Sequence, residues 1–276
     1  MGGGGAGGAA PAAGWNISST SYDSVSFLIS GQETSPSGMF FKPDGTAFYI
    51  VGSVNDTVYQ YTLSTAWNLS TASYASKSFS VSSQAGGPSG VFFKSDGTKM
   101  YVANDGAGAT NAVYQYSLST AWDVSTASYD SVTYSVATQA DGPRELFFSS
   151  DGTKMYIADA NNIRIYQYTL STAWDLSTAS YASKTLLVSS QDTNPQGLSF
   201  KTDGTEMYLL GTTNDTVYQY TLSTAWDLAT ATYASKSFSV SGQDGTTAQI
   251  CFKDDGTKMY YLGGVNDRVF QYTVGS

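Results

Sequence analysis

The chain has 276 residues, no histidine, one cysteine and a formal charge of −9. That charge repels a phosphate backbone, which argues against nucleic acid as a partner. The lone Cys251 excludes an intramolecular disulfide, and no apolar run is long enough for a membrane span.

In chain order, residues 1–14 (MGGGGAGGAAPAAG) lack the basic start and apolar core of a secretory leader and read as a flexible Gly/Ala tail. Residues 15–276 read as one domain built from five near-copies of one unit. Asp-Gly-Thr recurs from Asp44, Asp96, Asp151, Asp203 and Asp255, and tryptophan at Trp15, Trp67, Trp122, Trp174 and Trp226. A Gln-Tyr pair recurs from Gln60, Gln115, Gln167, Gln219 and Gln271. The common spacing is 52 residues, lengthened to 55 once by an insertion near Gly106 to Asn111.

Each unit contains four strand-like runs, here a to d. In the second copy GVFFK and KMYVA flank Asp96-Gly97, a hairpin signal because glycine accepts a positive φ. AVYQYSL follows, then a longer connection, then SVTYSV with period-two alternation. Four short antiparallel strands repeated at this period describe the blades of a propeller. The expected fold is therefore all-β: a five-bladed β-propeller with almost no helix. The chain starts in a c–d connection and strand d and stops after strand c, so the N-terminal strand is expected to complete the C-terminal blade.

The segments GVFFKSDGTKMYVAND and GPRELFFSSDGTKMYIADANNIRIYQY resemble the NHL and YVTN-type propeller repeats. The fuller unit, DGTKMY…VYQYxLSTAWDxSTASY, resembles repeat proteins of marine phages and environmental bacteria. The resemblance implies a propeller; such families host enzymes, scaffolds and binding modules alike.

Positions identical in all five copies are explained by the shared blade. The repeated Gln is expected to make an internal hydrogen bond, and the Trp and the Tyr seven residues later to staple the c–d connection to the blade. Variation collects in the d–a loops (32–38, 84–90, 139–145, 191–197 and 243–249) and the b–c loops, which share one face. Loops freed from the repeat and held by a rigid scaffold are where binding resides. Arg144, Glu145, Asn162, Arg164 and Arg268 are the candidate ligand-binding residues on that face. Arginine offers a planar fork to carboxylates and hydroxyls.

Without histidine, neither a serine nor the cysteine has a base to activate it, and zinc loses its commonest ligand. The acids recur by symmetry or lie in turns, with no pair in unlike environments. No catalytic residue, cofactor or metal site is expected; calcium alone would suit the Asp and Asn oxygens of the loops, and no loop has dense ligand spacing. The expected function is a non-enzymatic binding module on a virion or cell surface, extracellular, recognising glycans or another host molecule. The tail would be available to other virion proteins. The alternatives are a purely structural decoration or fibre component, and a hydrolase or lactonase.

Overall fold

The computed structural model describes residues 14–106 and 110–275. The tail expected over 1–14 lies, apart from Gly14, outside the described residues, as does the middle of the insertion.

Each blade is held at its a–b turn by chemistry that the repeated markers encode together. Asp44 Oδ1 accepts from the Thr46 N–H at 2.9 Å, and Gly45 takes φ +71°. A Cβ on Gly45 would stand 2.4 Å from the Trp67 ring, so glycine is required by both conformation and contact. The Trp67 N–H donates to the Gly45 carbonyl at 3.0 Å. Trp67 itself sits at φ +62°, a conformation unfavourable for a bulky residue and stable only where packing enforces it. Gly97 with Trp122, Gly152 with Trp174, Gly204 with Trp226 and Gly256 with Trp15 repeat the pair. The Asp-Gly-Thr and Trp markers keep one spacing because each tryptophan lies on its own blade's turn.

The strands form five four-stranded antiparallel sheets. In blade 1 strands a to d are Pro36–Phe41, Ala47–Gly52, Thr57–Leu63 and Ala72–Ser80. Blade 5 consists of Thr247–Phe252, Lys258–Gly263 and Arg268–Gly275, completed on its outer edge by Asn16–Leu28. The register runs from Val25 opposite Gln271 to Leu28 opposite Arg268. The ring therefore closes as the sequence implies, and the edge of strand c is covered.

Neighbouring blades are joined by two repeated hydrogen bonds and by apolar packing. The buried tyrosine of each strand b donates its hydroxyl to the tryptophan carbonyl of the next blade: Tyr49 to Trp122, Tyr101 to Trp174, Tyr156 to Trp226, Tyr208 to Trp15 and Tyr260 to Trp67, at 2.5–2.8 Å. The repeated Gln also bonds across blades. Gln60, Gln115, Gln167 and Gln271 accept through Oε1 from Val124, Leu176, Leu228 and Leu69 N–H groups. Gln219 Oε1 has no such partner among the described residues, because the stretch after Trp15 enters a strand at Asn16 instead of a 3₁₀ turn. Between blades 2 and 3, Tyr101 and Val113 pack with Leu146, Ile157 and Tyr168, and equivalent clusters fill the other junctions.

Candidate active site at the channel mouth

Five strands a line the central channel, and each contains a register shift, between Pro36 and Gly38, Pro88 and Gly90, Pro143 and Glu145, Pro195 and Gly197, and Thr247 and Gln249. A bulge re-aims the side chain that it carries. The five bulged residues, Ser37, Ser89, Arg144, Gln196 and Ala248, accordingly line one cavity of about 330 Å³ at the mouth of the channel. The next layer down holds Gly38, Gly90, Glu145, Gly197 and Gln249. Crowding explains three of these glycines. A Cβ on Gly38 would meet Gly90 Cα at 2.7 Å, one on Gly90 would meet Glu145 Oε1 at 2.7 Å, and one on Gly197 would meet Gln249 Oε1 at 2.6 Å.

Blade 3 breaks the five-fold pattern in both layers. Arg144 forms an ion pair through Nη1 with Asp105 Oδ2 of blade 2, and its Nε is buried with no partner among the described residues. Asp105 stands where the other copies have Ser53, Ala160, Thr212 and Gly264. Burial raises its carboxyl above the usual range; Arg144 opposes this, and Asp159 and Asp141 add to it. Glu145 is 1% exposed. Its Oε1 accepts from the Leu146 N–H at 2.9 Å, while Oε2 has no partner among the described residues. Burial pushes this carboxyl well above the ordinary carboxylate range, and the Leu146 N–H and Gln249 amide offset only part of that. The mouth thus holds a guanidinium, a partly exposed acid and, one layer deeper, a carboxyl whose acid form burial favours.

The other buried acids of this face serve the fold. Glu33, Asp192 and Asp244 start d–a loops and accept the N–H groups of their own loop and of the facing b–c loop. Each occupies space left by a glycine at the end of strand b, Gly52, Gly211 or Gly263. In blades 2 and 3 the d–a residue is Ala85 or Ala140, and the cap comes from the strand b position instead: Asn104 accepts from Gly87, and Asp159 from Asp141, Gly142 and Asn161. The polar group can therefore be transplanted. Asp244→Ala should destabilise the protein by at least about 2 kcal/mol, since several buried N–H groups lose their acceptor. Adding Gly263→Asp should recover most of the loss; chemical denaturation of both variants would check this, and a double variant no more stable than the single one would contradict it.

The five candidates from sequence do not form one cluster. Arg144 lines the mouth, and Glu145 is buried in the layer beneath it. Asn162 donates to Asp159 Oδ2 at 2.7 Å and to the Gln139 carbonyl at 3.0 Å, within the loop cap. Arg164 opens strand c opposite Leu187 of the outer strand, and Arg268 donates to Ser26 Oγ on the outer strand of blade 5 at 3.0 Å. Sequence reasoning missed Asp105 and Gln249. Comparing the five copies at their positions marks both as exceptions, but nothing in the sequence shows that bulges bring them to one axis. Among the described residues no cluster of three or more acidic, histidine or cysteine side chains could hold a metal ion.

These features define a closed propeller whose channel mouth is chemically asymmetric. The chain belongs to the lactonase family of seven-bladed β-propellers, whose sequence model matches residues 18–173, more than half its length and including Asp105, Arg144 and Glu145. No curated protein matches it by sequence. Among solved structures it resembles the periplasmic gluconolactonase PpgL of Pseudomonas aeruginosa, at 15% identity and a TM-score of 0.52, over 87% of this chain and 68% of that one. It also resembles a Bacteroides uniformis protein described as a 6-phosphogluconolactonase, at 16% identity and TM-score 0.51, over 83% and 64% of the two chains. A Lactobacillus plantarum protein matches at 14% identity and TM-score 0.52, over 86% and 67%. The chain thus spans less than two thirds of the Bacteroides protein, and its ring closes with five blades. At these identities the likeness concerns the fold.

Family membership corrects the expectation of a non-enzymatic attachment or decoration module: it points to a lactonase-type enzyme. The absence of histidine misled because ester hydrolysis needs a proton donor and acceptor, not a particular side chain. The sequence marks Glu145 as a candidate ligand-binding residue of the loop face and gives it no catalytic role, whereas the bulge at Arg144 leaves it buried beneath the channel mouth with its carboxyl raised well above the ordinary range.

Proposed function

We propose that the protein hydrolyses lactones at the channel mouth. The observation that carries this reading is the Arg144–Glu145 pair, where blades 1 and 2 have Ser-Gly, lying within the family-matched stretch beside the ion-paired Asp105. Arg144 would polarise the lactone carbonyl and stabilise the oxyanion. Asp105 would take a proton from the attacking water as its oxygen bonds to the carbonyl carbon. The ring C–O bond then breaks, and the leaving alkoxide takes the proton that Glu145 holds. Two carboxyls in unlike environments suit this division of labour. The product is a hydroxy acid, which releases one proton to solvent at neutral pH.

The mouth favours an uncharged, hydroxylated lactone over a phosphorylated one. The charge of Arg144 is matched by Asp105, Asp141 and Asp159 lie close by, and the remaining lining is rich in hydroxyls, including Ser35, Ser53 and Ser89. A phosphate dianion would find no net positive field there. Proton release should therefore be faster with an unphosphorylated aldonolactone than with its phosphorylated counterpart. Arg144→Ser, the residue of blades 1 and 2, should lower the rate by about 10²-fold or more without loss of folding. Faster turnover of the phosphorylated compound would overturn the preference but keep the activity; no turnover of either would overturn the activity.

A further inference from the structure

At the other end of the channel we infer a second binding site, for a small, planar, uncharged aromatic molecule that carries a hydrogen-bond donor. The inference is independent of the lactonase reading. Below Glu145 the axis is filled by Phe40, Phe92 and Phe147, packed edge to face at centroid distances of 5.0 and 5.1 Å. The two remaining copies have Ser199 and Cys251 at this position. The same layer is thus packed with phenyl rings on three sides and lacks them on two. A cavity of about 270 Å³ lies here, lined by these five residues and by tryptophans of the a–b face, and opening between the a–b turns. Apolar cavities smaller than this hold a benzene-sized guest.

The fold itself indicates the occupant: in three of five copies the space at the axis is taken by a phenyl ring in edge-to-face contact with its neighbours, so a free aromatic ring fits the same geometry. The rim supplies one acidic exception among its hydroxyls. Asp254 stands where the other turns have Pro43, Ser95, Ser150 and Thr202, and it lines the cavity. An acceptor at the edge of an aromatic bowl selects a ring with an O–H or N–H group and repels an anion.

Phenol is the probe. Ligand-observed NMR should show saturable one-to-one binding to the wild-type protein. Ser199→Phe with Cys251→Phe, which restores the residue of the other three copies, should abolish it and raise the melting temperature. Each single substitution is made as well, so that a double variant that fails to fold leaves the test intact; each should weaken binding. Asp254→Ser, the residue of blades 2 and 3, should weaken phenol about tenfold and leave toluene unchanged. Phenol binding that is unaffected by both single substitutions, or no saturable binding to the wild-type protein, would overturn the inference.

Discussion

Replacing Glu145 with Gln should cut the catalysed rate of lactone hydrolysis by about 10²–10⁴-fold, the range for loss of a positioned general acid, while leaving the melting temperature close to that of the wild type. Gln has nearly the same shape and keeps an acceptor for the Leu146 N–H, which Glu145 Oε1 uses at 2.9 Å. It cannot give up a proton. The pH dependence separates this role from a packing role. The Glu145 carboxyl is raised by burial, so the acid form persists above the ordinary carboxylate range and is lost as pH rises through the raised value. The wild-type rate, corrected for spontaneous hydrolysis, should fall along that alkaline limb, and the Gln variant should lack it. Stability follows the same sign: a carboxyl whose folded pKa lies above its unfolded one favours the folded state least when the pH exceeds both values. The Gln variant should gain stability on the wild type as pH rises.

The largest structural effect is expected from deleting residues 1–30. This removes the outer strand of blade 5 and with it Trp15, Ile17 and Ile29, all at most 8% exposed. Losing a buried Trp or Ile side chain costs about 2–5 kcal/mol each, so the three together approach or exceed the whole stability of a typical domain, about 5–15 kcal/mol. The deletion also removes the Trp15 carbonyl, one of the two acceptors of the Tyr208 hydroxyl, and exposes the edge of Arg268–Gly275. The expected product is insoluble or aggregated. Deleting only residues 1–13 leaves these groups in place and should give a soluble protein with the wild-type circular dichroism spectrum. A monomeric, cooperatively folding product of the longer deletion would show that the ring does not depend on its N-terminal strand.

The blade was legible because its constraints are local and occur five times. Asp-Gly-Thr demands its turn, the tryptophan its glycine, and the truncated ends complement each other. The interblade role of the Gln was half legible: a buried amide needs a partner, but that the partner is the next blade's backbone depends on how the blades pack. The site was less legible for the opposite reason. Arg144 and Glu145 are visible as departures from the repeat, yet adjacent residues in a strand normally face opposite ways. Only the bulge brings both to the axis, one above the other. Asp105 comes from another blade and a loop that carries the insertion, so no spacing in the sequence relates it to Arg144. Conversely, the candidates Arg164 and Arg268 share a repeat position that opens strand c, next to the outer strand of the blade, and so lie away from the mouth.

In the proposed mechanism an asymmetric pair at one blade would turn a symmetric propeller into a lactonase. This mechanism is tested most directly by restoring the symmetry. Arg144→Ser with Glu145→Gly gives blade 3 the Pro-Ser-Gly of blades 1 and 2. Initial rates of proton release from an unphosphorylated aldonolactone should be clearly above the spontaneous rate with the wild-type protein and indistinguishable from it with the double variant, both proteins being folded by circular dichroism. Equal rates for the two proteins, or none above background for either, would contradict the account.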